Sequence, residues 1–109
     1  MEITFIENEA VKSLARMLRD ITNVEGRFDL TDNIKRSRTI EEFTEAVYNS
    51  IRVANTIRKQ KEGVFVHLPN ENELEKVFVY ARDPKLFPSL KNTIASYALS
   101  FPSRKEVSE

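Results

Sequence analysis

The chain contains no cysteine and no tryptophan, one histidine, two glycines and four prolines among 109 residues. The lack of cysteine excludes a disulfide framework and every thiolate metal site. A single histidine, His67, leaves no Cys-His or His-rich zinc arrangement. The two glycines, Gly26 and Gly63, stand alone, so no Gly-rich phosphate loop is present, and no GxSxG elbow appears. No apolar run approaches the roughly 20 residues needed to cross a bilayer. The opening Met1-Glu2-Ile3-Thr4-Phe5-Ile6 has neither the basic start nor the longer apolar stretch of a signal peptide. These absences predict a cytoplasmic protein with no cofactor, no metal, no membrane contact and no small-molecule substrate.

What is present is a composition that is 40% hydrophobic and 31% charged, with 17 basic and 17 acidic residues balanced to zero. That mixture reads as soluble and helix-rich. The length suits a single helical domain over residues 1–109, and the polar end, 103–109, is expected to fray.

Apolar periodicity supplies the elements. Asn8 can cap a helix to about Thr22, because Val11, Leu14, Ala15, Leu18 and Ile21 recur on one face, and Gly26 closes it. Residues 27–38 show no sustained period and read as a loop with one helical turn near Asp32. Thr39-Ile40-Glu41-Glu42 forms a capping box that opens the longest helix, to about Lys61. Its inward positions are Phe43, Ala46, Val47, Ile51, Ala54 and Ile57, with Gly63 at its end. Val64-Phe65-Val66-His67-Leu68 is β-branched and aromatic and predicts a short strand that could pair with residues 2–6. Asn70 with Glu73 caps a helix through Leu74, Val77, Phe78 and Ala81, although Val77 to Tyr80 could instead form a hairpin with 64–68. Pro88 fits the first turn of a last helix carrying Leu90, Ile94, Tyr97, Ala98 and Phe101, ended by Pro102. The expected fold is mainly α: a compact helical bundle of about four helices with at most a small two-stranded β element (residues 2–6 and 64–68).

Catalytic constellations are weak. A nucleophilic triad would have to be built on His67, which an alternating pleat would leave at a surface or edge. Carboxylate pairs such as Glu41/Glu42 and Glu71/Glu73 occupy first turns, where the helix dipole already favours negative charge. The expectation is therefore a protein that is not an enzyme and has no catalytic residues.

Charge distribution is more informative than its sum. Residues 1–34 carry a net charge of −3, residues 35–61 +4, residues 62–83 −3 and residues 84–109 +2. The basic middle holds a cluster, Lys35, Arg36 and Arg38, and the stretch between Glu45 and Lys61 contains no acid. Tyr48, Arg52, Asn55 and Lys59 fall at i, i+4, i+7 and i+11, one outward stripe of the long helix. An aromatic ring, two cations and an amide in a line can stack a base and track a phosphate backbone. The alternative is an ordinary solvated face, with Arg58, Lys59 and Lys61 complementing the helix C-terminus. Lys12, Arg16 and Arg19 make a second basic stripe on the first helix, with Glu9 and Asp20 in reach. Phe28, Phe65, Phe87 and Phe101 read most simply as core or packing residues, with the alternative that some of them face a partner protein, since small helical modules often expose an aromatic anchor.

The run Ile40–Lys61, then Gly63-Val64-Phe65-Val66-His67-Leu68-Pro69, then Asn70-Glu71-Asn72-Glu73-Leu74 resembles the small subunit of the archaeal type I-A CRISPR effector complex, archaeal Cascade. The closing Ile94-Ala95-Ser96-Tyr97-Ala98-Leu99-Ser100-Phe101-Pro102 resembles it too, so the similarity spans about Ile40 to Pro102 in length, element order and scattered residues. The resemblance implies a helical, non-catalytic protein of RNA-guided antiviral defence. Such a subunit assembles in several copies with other subunits of the complex. It helps hold target DNA beside the crRNA through sequence-independent backbone contacts. This chain departs from that pattern in being short, which reduces any β-rich appendage, and in being neutral, which makes binding by an isolated copy weak. The main rival is a small helical protein–protein adaptor with no nucleic-acid role. A DNA-binding regulator ranks third, because no compact helix-turn-helix is evident.

Overall fold

The computed structural model describes residues 8–100. They form five helices: α1 (Glu9–Glu25), α2 (Asp29–Arg36), α3 (Ile40–Gln60), α4 (Glu71–Ala81) and α5 (Phe87–Ser100). The mainly helical class is as the periodicity predicts. The strand predicted at 64–68 is not formed, and its proposed partner, 2–6, lies outside the described residues, as do Phe101, Pro102 and the tail 103–109.

Helix α1 is the hub, packing against α3, α4 and α5, while α2 packs against α3 and α5. Its five predicted inward residues are all buried, and Ala10, Ser13, Met17 and Asp20 join them. The apolar face is therefore wider than one stripe, as a helix with neighbours on several sides requires. Asn8 accepts from the Val11 N–H at 3.1 Å and donates its own amide to the Tyr80 hydroxyl at 2.8 Å, so one residue caps α1 and ties it to α4. At the other end Gly26 takes φ 67°, and its N–H returns to the Thr22 carbonyl at 2.8 Å.

The segment 27–38, expected as a loop with a single turn, carries the two-turn helix α2. Leu30 and Ile34 are buried one turn apart and attach it to the core. It begins at Phe28 without a side-chain cap, and that missing signal hides it in the sequence. Asp29 and Asp32 in its first turn and Lys35 and Arg36 in its last match the helix dipole.

Helix α3 starts at Thr39, whose hydroxyl accepts from Glu42 N–H at 3.1 Å. The reciprocal half of the predicted capping box is displaced by one residue, because Glu42 accepts from the N–H of Arg38 at 2.8 Å. Lys61, not Gly63, caps its C-terminus, with its N–H on the Ile57 carbonyl at 2.9 Å. Residues 71–82 resolve in favour of helix, opened by a complete capping box between Asn70 and Glu73.

Phe43 is fully buried at the centre of the core and meets Phe78 and Phe87 edge to face, at centroid separations of 6.2 and 5.6 Å. Phe28 and Phe65, expected as packing residues, are instead 60% and 54% exposed.

Among the described residues, the segment 64–70 belongs to neither a helix nor a sheet. Val66 plugs the core, and the His67 N–H, which a ladder would use, goes to the Asp20 carboxylate at 2.9 Å. A buried carboxylate thus satisfies a backbone N–H that no helix or sheet among the described residues takes up.

Candidate functional site

The α2–α3 corner is built by local bonds that fix its backbone. Ser37 is buried, and its hydroxyl donates to the Ile34 carbonyl at 2.7 Å. Lys91 of α5 donates to the Ser37 carbonyl while lying 4.5 Å from the Phe87 ring centroid. The Glu42 bond to Arg38 N–H completes the corner.

Around this corner the predicted basic cluster divides. Arg36 opens onto a cleft of about 550 Å³ between α2 and α3, which Asn33, Ser37, Glu42, Glu45, Asn49 and Arg52 also line. Lys35 turns the other way, onto a smaller cleft of about 240 Å³ between α2 and α5, beside Phe28 and Leu99. Arg38 is exposed in the turn. Arg36 is bound to Asp32 at 3.3 Å. Arg36 and Arg52, sixteen residues apart in the chain, are brought to one cleft, while Lys35 lines another.

Along α3, Tyr48, Arg52, Asn55 and Lys59 all lie exposed on the outward face. Arg52 donates to the Asn49 side chain at 3.2 Å. Asn49 and Arg52 also line a second cleft of about 330 Å³ with Arg27, Thr56 and Gln60, so two polar clefts meet at this pair. Asn49 was missed in the sequence, where nothing but its position three residues before Arg52 pointed to it. Tyr48 is 47% exposed and stacks on Phe78 of α4 at 5.7 Å with 24° between the rings.

Ion pairing sorts the cations. Lys61 is held by Glu25 at 3.0 Å and Arg27 by Asp29 at 2.8 Å. The hydrogen bond and charge of Asp29 raise the Arg27 pKa above its usual value, and the same bond holds Asp29 below the ordinary carboxylate range. Among the described residues, Lys35, Arg38, Arg52, Arg58 and Lys59 form no ion pair. Acids are still present nearby, since Glu42 and Glu45 line the larger cleft.

The second predicted stripe, Lys12, Arg16 and Arg19, lies half-buried on α1. Arg19 is 11% exposed and bonded to the buried Asp20 at 2.9 Å.

One further cluster has catalytic residue types. The Ser13 hydroxyl donates to Glu73 at 2.8 Å and lies 2.6 Å from His67 Nε2. With the only hydroxyl proton given to Glu73, the ring nitrogen must donate. A nucleophilic serine requires the reverse, an imidazole that accepts the hydroxyl proton. Ser13 is also 3% exposed, so the cluster serves as an interior tie between α1, the 64–70 segment and α4. Among the described residues no group of three His, Asp or Glu side chains could hold a metal ion, and no helix is long and apolar enough to cross a membrane.

No family model, curated protein or solved structure matches the chain.

Proposed function

We propose that this protein is a non-catalytic small subunit of a CRISPR RNA-guided antiviral surveillance complex. It works in several copies and helps hold target DNA through sequence-independent backbone contacts. The carrying observation is the set of exposed cations without ion pairs, Lys35, Arg38, Arg52 and Lys59, at the α2–α3 corner and along α3. Cations that are already neutralised gain little from a phosphate, whereas these can replace condensed counterions. Asn55 and Asn49 lie among them and can donate to phosphate oxygens. Few contacts per copy suit a neutral chain, because weak sites add steeply when copies lie in a row. The resemblance over about Ile40 to Pro102 supplies the complex, and the residues supply the contact.

The test is binding of single-stranded and duplex DNA across a salt series, by the wild type and by Arg52→Ala/Lys59→Ala. On single strands, loss of two phosphate contacts lowers the slope of log K against log salt by about 1.4. Binding unchanged in the double mutant refutes the assignment.

A second reading, a protein–protein adaptor without a nucleic-acid role, draws on one observation. Phe28 and Leu99, 60% and 59% exposed, flank the apolar cleft between α2 and α5. It predicts no DNA binding at low salt, together with a native partner that is released by Phe28→Asp and retained by Arg52→Ala/Lys59→Ala.

A further inference from the structure

The rings of Phe87, Phe43, Phe78 and Tyr48 form a ladder from the core to the surface. Phe87 and Phe43 meet at 82°, Phe43 and Phe78 at 87°, and Phe78 and Tyr48 lie nearly parallel at 24°. Phe43 is fully buried and Tyr48 is 47% exposed, so the outermost ring is braced from behind by an aromatic stack anchored in the interior. Phe78 stacks against Tyr48, which nonetheless keeps 47% of its surface exposed, enough for a second ring to reach it.

An exposed tyrosine on a helix normally samples several rotamers. A ring already stacked on a fixed neighbour has lost that freedom before any ligand arrives, which lowers the cost of stacking a second ring on it. Arg52 lies one turn along α3, exposed and with only the neutral Asn49 side chain as partner. Asn55 and Lys59 continue the same line. Glu45, three residues before Tyr48, opposes an anionic ligand on that side, so a strand is directed from Tyr48 toward Arg52 and Lys59.

We propose that Tyr48 is a base-stacking platform and that the nucleic acid this face takes is single-stranded. The inference rests on the nucleic-acid reading above and adds the state of the strand. In a duplex each base face is covered by its neighbours, and a flat ring on the protein surface finds nothing to stack on. In a single strand a base can leave its neighbours and cover the outer face of Tyr48, while its flanking phosphates reach Arg52 and Lys59.

The experiment measures anisotropy of a labelled oligothymidylate and a labelled duplex, at one low salt concentration. The proteins are the full-length wild type, Tyr48→Leu, Tyr48→Phe and Arg52→Ala/Lys59→Ala. Leucine keeps an apolar cover over Phe78 and removes the flat face, whereas phenylalanine keeps the face. Tyr48→Leu is expected to weaken oligothymidylate binding about tenfold and leave duplex binding unchanged. Tyr48→Phe is expected to bind as the wild type does. Thermal melting of each variant checks that the fold is retained, and a Tyr48→Phe that melts as the wild type does but binds oligothymidylate more weakly overturns the flat-face assignment even if Tyr48→Leu melts early. Oligothymidylate binding unaffected by Tyr48→Leu but lost in Arg52→Ala/Lys59→Ala overturns the platform and leaves the nucleic-acid reading standing. Equal losses on both DNAs in Tyr48→Leu also overturn it. A wild type that binds neither DNA overturns both.

Discussion

The buried carboxylate of Asp20 accepts the backbone N–H of His67 at 2.9 Å, tying the central helix to a segment 47 residues further along the chain. The same carboxylate bonds Arg19 Nε at 2.9 Å, an unusual pairing because adjacent helical side chains diverge by about 100°. Asp20 thus accepts both a backbone amide of the 64–70 segment and the guanidinium beside it. Asp20→Ala removes both, leaving a guanidinium that is 11% exposed without this carboxylate and an amide without its acceptor. The expected loss is about 3–5 kcal/mol, read from urea unfolding. Asp20→Asn keeps an acceptor and should cost less. Equal losses in the two variants would show that the charge carries the whole effect and a neutral acceptor none of it.

The Ser13 hydroxyl joins His67 and Glu73, and its single proton can go to only one of them. Because Glu73 is the acceptor, His67 must carry a proton on Nε2. Nitrogen-resolved NMR of the imidazole should therefore show a protonated Nε2. Ser13→Ala leaves that donor and the carboxylate without their shared partner, at about 1–3 kcal/mol. A ring protonated on Nδ1 alone would reverse the direction of the chain of bonds.

The sequence made the long elements legible wherever a cap and a repeating apolar face coincided. Asn8, Thr39 and Asn70 each start a helix; the predicted inward residues of α1 are all buried, as are Phe43, Val47, Ala54 and Ile57 of α3 and Val77 and Ala81 of α4, while Ala46, Ile51, Leu74 and Phe78 are partly buried. Helix α2 escaped because it has two turns and no side-chain cap, although Leu30 and Ile34 carried its period. The strand predicted at 64–68 failed for a different reason. β-branched residues fit any extended segment, and nothing local reveals that a buried Asp20 will take the His67 amide. The candidate site was half legible. Spacing placed Tyr48, Arg52, Asn55 and Lys59 on one face, but long-range packing decided that Lys35 and Arg36 open onto different clefts.

The exposed pair Arg27–Asp29 carries a sign-definite pH dependence. Asp29 is held below the ordinary carboxylate range by its bond to Arg27, so its contribution is fully present above about pH 4. It is lost as the pH falls through the lowered value of the folded state. Solvent screening holds that contribution to about 0–1 kcal/mol. Asp29→Asn should flatten the acid limb of the stability curve slightly and leave stability at neutral pH almost unchanged. The difference from wild type should also shrink in high salt. A variant less stable by a constant amount at every pH would mean that Asp29 contributes through something other than its charge.

Lys91 links the fold to the candidate site. Its ammonium donates to the Ser37 carbonyl and lies over Phe87, so α5 holds the turn from which Arg38 projects. Lys91→Met keeps most of the stem and removes the charge. The expected cost is about 1.5–3 kcal/mol, the range for a hydrogen bond to a charged group. Arg52 and Lys59 stand on α3, away from this turn, and should keep their contacts. If Arg38 is a phosphate contact, DNA affinity should fall in Lys91→Met by no more than it falls in Arg38→Ala. The double variant should then lose less than the sum of the two single losses, since both act through one contact. Full additivity in that cycle, measured by the same salt-series binding, would show that Lys91 does not act through Arg38, and an Arg38→Ala that binds as the wild type does would remove Arg38 from the site while leaving Arg52 and Lys59 in it.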